Sequence, residues 1–409
     1  MKIVHTADWH LGDHLHRLDR TDDLRKRVVE VARICAERAA DVLVIAGDLF
    51  SDHAAVGVED MTRELEHILE VFGPFFRRGG TILAITGNHD KDKSVGIIRA
   101  GMRLAAMPSP GGKPLTPGRM YLQNGPGIAV LEAADEKVQF VLVPYPNAYR
   151  YAEADDTLGS TEERNRTTQT RVAGWVQKAT EKDGFDKSLP SVLVAHLHVR
   201  GSETHSLYKL SEADDVLFGA DFIPSHWAYV ALGHIHKPQA LGGVEHVRYP
   251  GPLDRLDFGE RNDDRGVVVL RVGKKHGPEC RTPPEWIPIA ATPMYLVAVA
   301  DTDDIDGLPA KYPDCAEAIV KITVALRPNG PSRDEVMQRL RKHFPRFAEI
   351  VFERPEKIGV EAARPSVRSD ADYRETVRNY LKKRTVDRSD GAALLELAET
   401  FLTPAEGQP

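Results

Sequence analysis

Val42-Leu43-Val44-Ile45-Ala46-Gly47-Asp48 is the stretch on which the fold turns. Five apolar residues read as a buried strand, Gly47 lets the backbone come close, and the Asp48 carboxylate stands at the strand's carboxyl end. Four more polar motifs each lie at the end of an apolar run: Asp8-Trp9-His10, Gly87-Asn88-His89-Asp90, His196-Leu197-His198 and Gly233-His234-Ile235-His236. In open α/β sheets ligands sit at the carboxyl ends of strands, so the five motifs are expected to meet.

Their chemistry is that of a divalent-metal site. Carboxylates, neutral imidazoles and an amide oxygen suit Mn²⁺, Fe²⁺ or Zn²⁺, and no motif carries the cysteine of a thiolate site. Asp48 is the natural bridge between two ions. Ions roughly 3.5–4 Å apart clamp a phosphoryl oxygen and activate water as a nucleophile. Taken singly, Asp-x-His is common, and Gly-Asp after a strand is more often just a turn. The full ordered set has no such simple reading.

Working outward, strand and helix alternate. Ile3 to Thr6 reads as a strand, and Leu24, Val28, Val31 and Cys35 recur at helical spacing before the Asp48 strand. Met61, Leu65, Ile68 and Phe72 mark a second helix, and Thr81 to Ile85 a strand before Asn88. This βαβα order predicts a layered α/β domain. A third helix, around Val95 to Ala106, carries Ile97, Ile98, Met102 and Leu104 on more than one face. Residues 107–127, rich in Pro and Gly, read as a loop. Strands from Ile128 and from Val138 to Val143 follow, then a helix within Thr161 to Lys182, then the strands that deliver His196 and His234.

The chain of 409 residues exceeds one ordinary core, and two or three domains are expected. Three widely spaced cysteines, Cys35, Cys280 and Cys315, argue for a reducing compartment rather than a disulfide framework. No signal peptide or membrane span is readable, so the expected location is cytoplasmic. The net charge of −7 opposes a nucleic-acid reading, since such proteins usually carry a basic footprint. A local footprint is available in Arg20, Arg25, Lys26 and Arg27, and, beside the motifs, in Lys91, Lys93 and Lys237.

The motif order resembles the calcineurin-like metallophosphoesterase superfamily. Thr6-Ala7-Asp8-Trp9-His10-Leu11-Gly12, Gly47-Asp48-Leu49-Phe50, Ala231-Leu232-Gly233-His234-Ile235-His236-Lys237 and Tyr249-Pro250-Gly251-Pro252-Leu253 are similar to the SbcD family of nuclease subunits. The resemblance implies a β-sandwich with flanking helices over residues 1–273, a small α+β DNA-capping domain over 283–354, and helices over 370–403 that dock on an SbcC-type coiled-coil ATPase. It implies two Mn²⁺ per subunit, with Mg²⁺, Fe²⁺ or Zn²⁺ as other occupants. One ion falls to Asp8, His10, Asp48 and His236, the other to Asp48, Asn88, His196 and His234.

His89 is then the catalytic group and Asp90 the residue that holds its ring. His198 belongs behind His196 or at the DNA surface. Ser51 stands where archaeal relatives place a second histidine, and His53 lies two residues on. The resemblance also implies a homodimer through the second and third helices, 3′→5′ exonuclease action on duplex ends, and endonuclease action on single strands and hairpins. The expected role is DNA end processing, repair and recombination. Rival readings are another phosphatase or cyclic-nucleotide phosphodiesterase of the same superfamily, or a DNA-bridging scaffold with a vestigial site.

Overall fold

The computed structural model describes residues 1–353, apart from 53–56, 106–114, 134, 148–150, 152–159, 205–215, 220–221, 224–225, 274–279 and 328–329. The C-terminal helices expected over 370–403, and His53, therefore lie outside the described residues. Chain contacts separate a unit Met1–Arg354 from a unit Pro355–Pro409.

The chain opens with β1 (Lys2–Thr6), a hairpin of β2 (His14–Leu15) and β3 (Leu18–Asp19), and α1 (Thr21–Glu37). Then come β4 (Val42–Ala46), α2 (Val58–Arg77), β5 (Thr81–Ile85), α3 (Asp92–Ala105) and β6 (Met120–Gln123). The second half of the domain holds β7 (Gly127–Ala133), β8 (Glu136–Val143), α4 (Thr161–Gln177), β9 (Ser191–His196), β10 (His198–Val199), β11 (Leu217–Phe218), β12 (Tyr229–Gly233), β13 (Gln239–Ala240) and β14 (Val247–Tyr249). It closes with β15 (Arg265–Arg271) and β16 (Glu285–Ile289).

These strands form two six-stranded sheets, ordered β16-β15-β1-β4-β5-β6 and β13-β14-β12-β9-β8-β7. Period-two alternation builds the layers. Val42, Val44 and Ala46 of β4 face the other sheet, while Leu43 and Ile45 face the helices. Val192 and Val194 of β9 meet the inter-sheet core, and Leu193 and Ala195 turn outward toward Val172 and Val176 of α4. Helices α1 and α2 cover the far face of the first sheet through Val28, Val31, Ile68 and Phe72. The architecture is the layered α/β domain that the residue pattern predicts, in the form of the sandwich with flanking helices that the resemblance implies.

Two strands correct that reading. Met120–Gln123, within the stretch read as a loop, pairs in parallel with β5. Glu285–Ile289, placed on the cap's side of the 273 boundary, pairs antiparallel with β15 and is the edge of the first sheet, so that sheet runs on to Ile289. Pro288 explains why the second was hidden: proline cannot donate to a ladder and is tolerated on an edge strand.

The remaining described residues form a parallel three-stranded sheet of β17 (Met294–Val299), β18 (Ile319–Ala325) and β19 (Arg346–Glu353), with a short α5 (Leu308–Lys311) and α6 (Arg333–His343). Ser332 caps α6 in a reciprocal box with Glu335. Val336, Leu340 and Phe344 pack onto Val320, Ile322 and Val324 as a separate core. Among the described residues no helix is long and apolar enough to cross a membrane.

Candidate metal centre

All five motifs converge at the carboxyl ends of β1, β4, β5, β9 and β12, between the two sheets. The backbone itself ties the first two together, since Asp8 N donates to Gly47 O at 3.0 Å and His10 N to Asp48 O at 3.0 Å. Trp9 and Leu11 are buried in the core beneath the helices. Their anchoring leaves Asp8 and His10 for the site.

The approach of the two sheets here leaves no room for a Cβ. One on Gly233 would stand 1.9 Å from the Ala46 carbonyl oxygen, and one on Gly47, at φ +95°, would stand 2.0 Å from the His196 ring. Asp8, His10, Asp48 and His234 all adopt left-handed φ, between +46° and +97°. Non-glycine residues pay for that conformation, and such strain concentrates where side chains must be aimed at a function.

Asp48 lies at the centre. Its Oδ2 is 3.2 Å from His196 Nε2 and 3.6 Å from His10 Nε2, and its Oδ1 accepts from His89 N at 2.8 Å. Asn88 Oδ1 stands 3.0 Å from both His196 Nε2 and His234 Nδ1. Asp8 accepts from His234 N at 3.0 Å. His236 completes the ring of groups, its imidazole 5.4 Å from that of His10. Ligand atoms of Asp8, His10 and His236, and separately of Asp8, Asp48 and His196, lie within 4.8 Å of one another.

Burial and charge pull the groups apart. Burial drives the His10 imidazole down to about 3 even though Asp48 opposes it. At His196 burial also pushes down, but the adjacent Asp48 carboxylate outweighs it and lifts the imidazole to about 9. Asp48 is held well below the carboxylate range, because the charge and hydrogen bond of His196 overcome its burial. Asp8 is raised, chiefly by burial.

These residues fit a pair of divalent cations. The donor set is all oxygen and imidazole nitrogen, and His10 Nε2 is buried with no hydrogen-bond partner. A buried nitrogen aimed at carboxylates and left unbonded is what a ligand atom looks like without its ion.

The surrounding residues depart from expectation in three ways. Asp90 does not hold the His89 ring: its carboxylate accepts from the amides of Leu49, Phe50 and Gly87, at 3.2, 3.0 and 2.8 Å. Burial, and next the nearby Asp48 charge, raise it to about 6 against the pull of those amides. The ring partner is Asp52, whose Oδ2 is 2.8 Å from His89 Nδ1 and which also pairs with Lys91.

Second, Glu260 lies 24 residues beyond the last motif and contacts His236, its Oε1 2.7 Å from Nδ1. Third, much of the basic footprint is already engaged. Arg20 is fully buried against Asp23 and Asp254, Arg25 chelates Glu64, Arg27 pairs with Glu30, and Lys237 pairs with Glu203. His198 is half-buried, its ring 6.1 Å from that of His234, outside the close group.

The family model for calcineurin-like phosphoesterases matches residues 1–238. Among curated proteins the chain is similar to the SbcD component of the SbcCD nuclease of Rhodobacter capsulatus, with 27% identity over 73% of each chain. It is 27% identical to the Bacillus subtilis protein of the same name over 87% of each. It is also 26% identical to the DNA double-strand break repair protein Mre11 of Archaeoglobus fulgidus, over 87% of this chain and 74% of that one.

Proposed function

The chain belongs to the calcineurin-like phosphoesterase family, and from that premise we propose that it is the nuclease subunit of a DNA end-processing complex. The carrying observation is the convergence of Asp8, His10, Asp48, Asn88, His196, His234 and His236 on one point between the sheets, with Asp8, His10, Asp48, His196 and His234 buried there. The substrate class rests on relatives named as SbcCD nuclease subunits and as Mre11. The proposed activities are 3′→5′ exonuclease on duplex ends and endonuclease on single strands and hairpins.

Asp8, His10, Asp48 and His236 would hold one ion, and Asp48, Asn88, His196 and His234 the other, with Mn²⁺ the proposed occupant. Bound there, the pair supplies neutralisation of phosphoryl charge and a nucleophile drawn from water at neutral pH. The protein's own groups do the rest. Asp90 fixes the Gly87–Asp90 turn against Leu49 and Phe50, which sets Asn88 and His89 in place. Asp52 engages His89 Nδ1, so that the ring in its protonated, imidazolium form would present Nε2–H to the departing 3′ oxygen and give up that proton. The His89 ring lies 4.8 Å from that of His10, close enough to share one substrate.

The same reading places a coiled-coil ATPase of SbcC type as partner, since two of the relatives are named as parts of SbcCD. It assigns residues 370–403 as the segment that docks on that ATPase and the domain after Ile289 as the DNA cap, and it sets the work in the cytoplasm. Exposed Leu69 on α2 and Ile97 on α3 support homodimerisation through those helices.

One observation favours a different substrate. With a net charge of −7 and both Lys91 and Lys237, beside the motifs, already paired with carboxylates, a small phosphodiester or phosphomonoester suits the surface better than DNA does. The two readings separate when the purified protein with Mn²⁺ is given linear duplex DNA and, in parallel, a small chromogenic diester. Degraded duplex supports the nuclease; diester turnover with intact DNA supports the rival.

A further inference from the structure

Glu260 sits outside the matched region and outside every motif, yet it is among the most enclosed carboxylates in the protein, 1% exposed. It ends a short 3₁₀ turn, Phe258–Glu260, that Asp257 caps. Each of its oxygens is committed. Oε1 meets His236 Nδ1 at 2.7 Å, and Oε2 accepts from Leu256 N at 2.9 Å and from an Arg265 terminal nitrogen at 2.7 Å.

Arg265, at the start of β15 and 1% exposed, sends its other terminal nitrogen to the His236 carbonyl oxygen at 3.0 Å. His236 is thereby gripped at both ends, ring and main chain, by one buried ion pair. Gly251 lets this happen: at φ +71° a Cβ there would stand 2.7 Å from the His236 carbonyl and 3.2 Å from Arg265.

A buried ion pair is weak as a source of stability, because desolvation offsets most of its attraction. Its geometry here has a more specific use. An imidazole whose Nδ1–H is held by a carboxylate presents its Nε2 lone pair in one direction and in one tautomer, which is how outer carboxylates set up histidine ligands.

We propose that Glu260, clamped by Arg265, is the positioning residue that fixes His236 as a ligand of the ion it shares with Asp8 and His10. This inference rests on the two-metal reading of the site. It extends the functional machinery past residue 238, into the segment that joins the last motif to β15.

The test is Mn²⁺ binding to the full chain by calorimetry, comparing wild type with Glu260→Gln, which keeps size and one acceptor but loses the charge. The expected result is a roughly 10- to 100-fold weaker affinity at one of the two sites, with the other unchanged. Because Glu260→Gln takes from buried Arg265 the nearer of its two carboxylates and leaves only Asp263 at 3.7 Å, the double variant Glu260→Gln with Arg265→Gln is measured beside it and is expected to show the same loss. Circular dichroism of both metal-free variants checks that the fold is kept. On the unaltered protein, nitrogen-15 histidine NMR after loading with ¹¹³Cd²⁺ reads the tautomer directly. A His236 proton on Nδ1 with cadmium coupling at Nε2 is expected.

Wild-type affinity at both sites in a folded variant, or a His236 ring coordinated through Nδ1, overturns the role of Glu260 alone. A wild-type chain that takes up no Mn²⁺ overturns the metal reading beneath it as well.

Discussion

The two halves of the site hold their histidines by different means. On the Asp8–His10 side, His236 leans on the Glu260 carboxylate; on the Asn88 side, His196 donates from Nδ1 to the Ala46 main-chain oxygen at 2.8 Å. The first support is a side chain, open to substitution and recruited from a distant segment. The second is part of β4 itself, and no side-chain change removes it. Asp48 is the hinge between them, approached by His10 on one side and by His196 on the other.

The largest effect is expected where the two halves join. Asp48→Asn removes the charge that both share, and nuclease activity should fall by more than the roughly 100-fold upper range of an outer-shell loss. Activity within tenfold of wild type in a Mn²⁺-dependent assay would break the comparison, since neither half would then depend on the hinge.

His89→Ala comes next. It leaves every proposed ligand in place, so cleavage should fall by about 100- to 10,000-fold while Mn²⁺ and DNA binding persist. Near-full cleavage by this variant would remove His89 from the mechanism. Asp52→Asn should cost less, on the order of tenfold to a hundredfold in kcat, through a misaimed ring. The same loss from an Asp52→Asn change made in a His89→Ala background would show that Asp52 acts elsewhere, because its effect is expected only through His89.

The smallest effect concerns stability, and it contrasts a neutral partner with the carboxylate partners of the site. His5, wholly buried in β1, has its Nδ1 2.9 Å from the Tyr229 hydroxyl, and burial lowers its imidazole to about 3. An unfolded chain takes up the His5 proton below pH 6.5, and the folded chain does not until near pH 3. The His5 contribution is therefore complete above pH 6.5 and is lost as pH falls. Between pH 6.5 and 5 the loss is about 2 kcal/mol. Urea unfolding of the metal-free protein should show this slope in wild type and a shallower one in His5→Asn. Equal slopes would remove His5 as a source of acid sensitivity.

The contrast also explains what could be read in advance. Ligand-type residues are legible because each falls at the end of a strand or within four positions beyond it, a local signal that β4 and β9 display plainly. Their supports were not. Asp52 and His89 are 37 residues apart, and Glu260 and His236 24 apart, with nothing in the intervening spacing to join them. Asp90, adjacent to His89 in sequence, was the natural local choice for the ring, yet its carboxylate folds back to cap the loop that carries it. Arg20 shows the same failure in reverse: it stands in a basic cluster that suggests a solvated or DNA-facing surface, and folding buries it between two aspartates. Among the strands, Met120–Gln123 hid among Pro and Gly, and Glu285–Ile289 hid behind Pro288.

The most direct test of the two-ion site is the number of Mn²⁺ ions that the metal-free wild-type chain binds at saturation, counted by equilibrium dialysis. Two per chain, with stoichiometry reduced in Asp48→Asn, is the predicted result. One ion or none in wild type, or two retained undiminished by Asp48→Asn, would contradict a site bridged by Asp48.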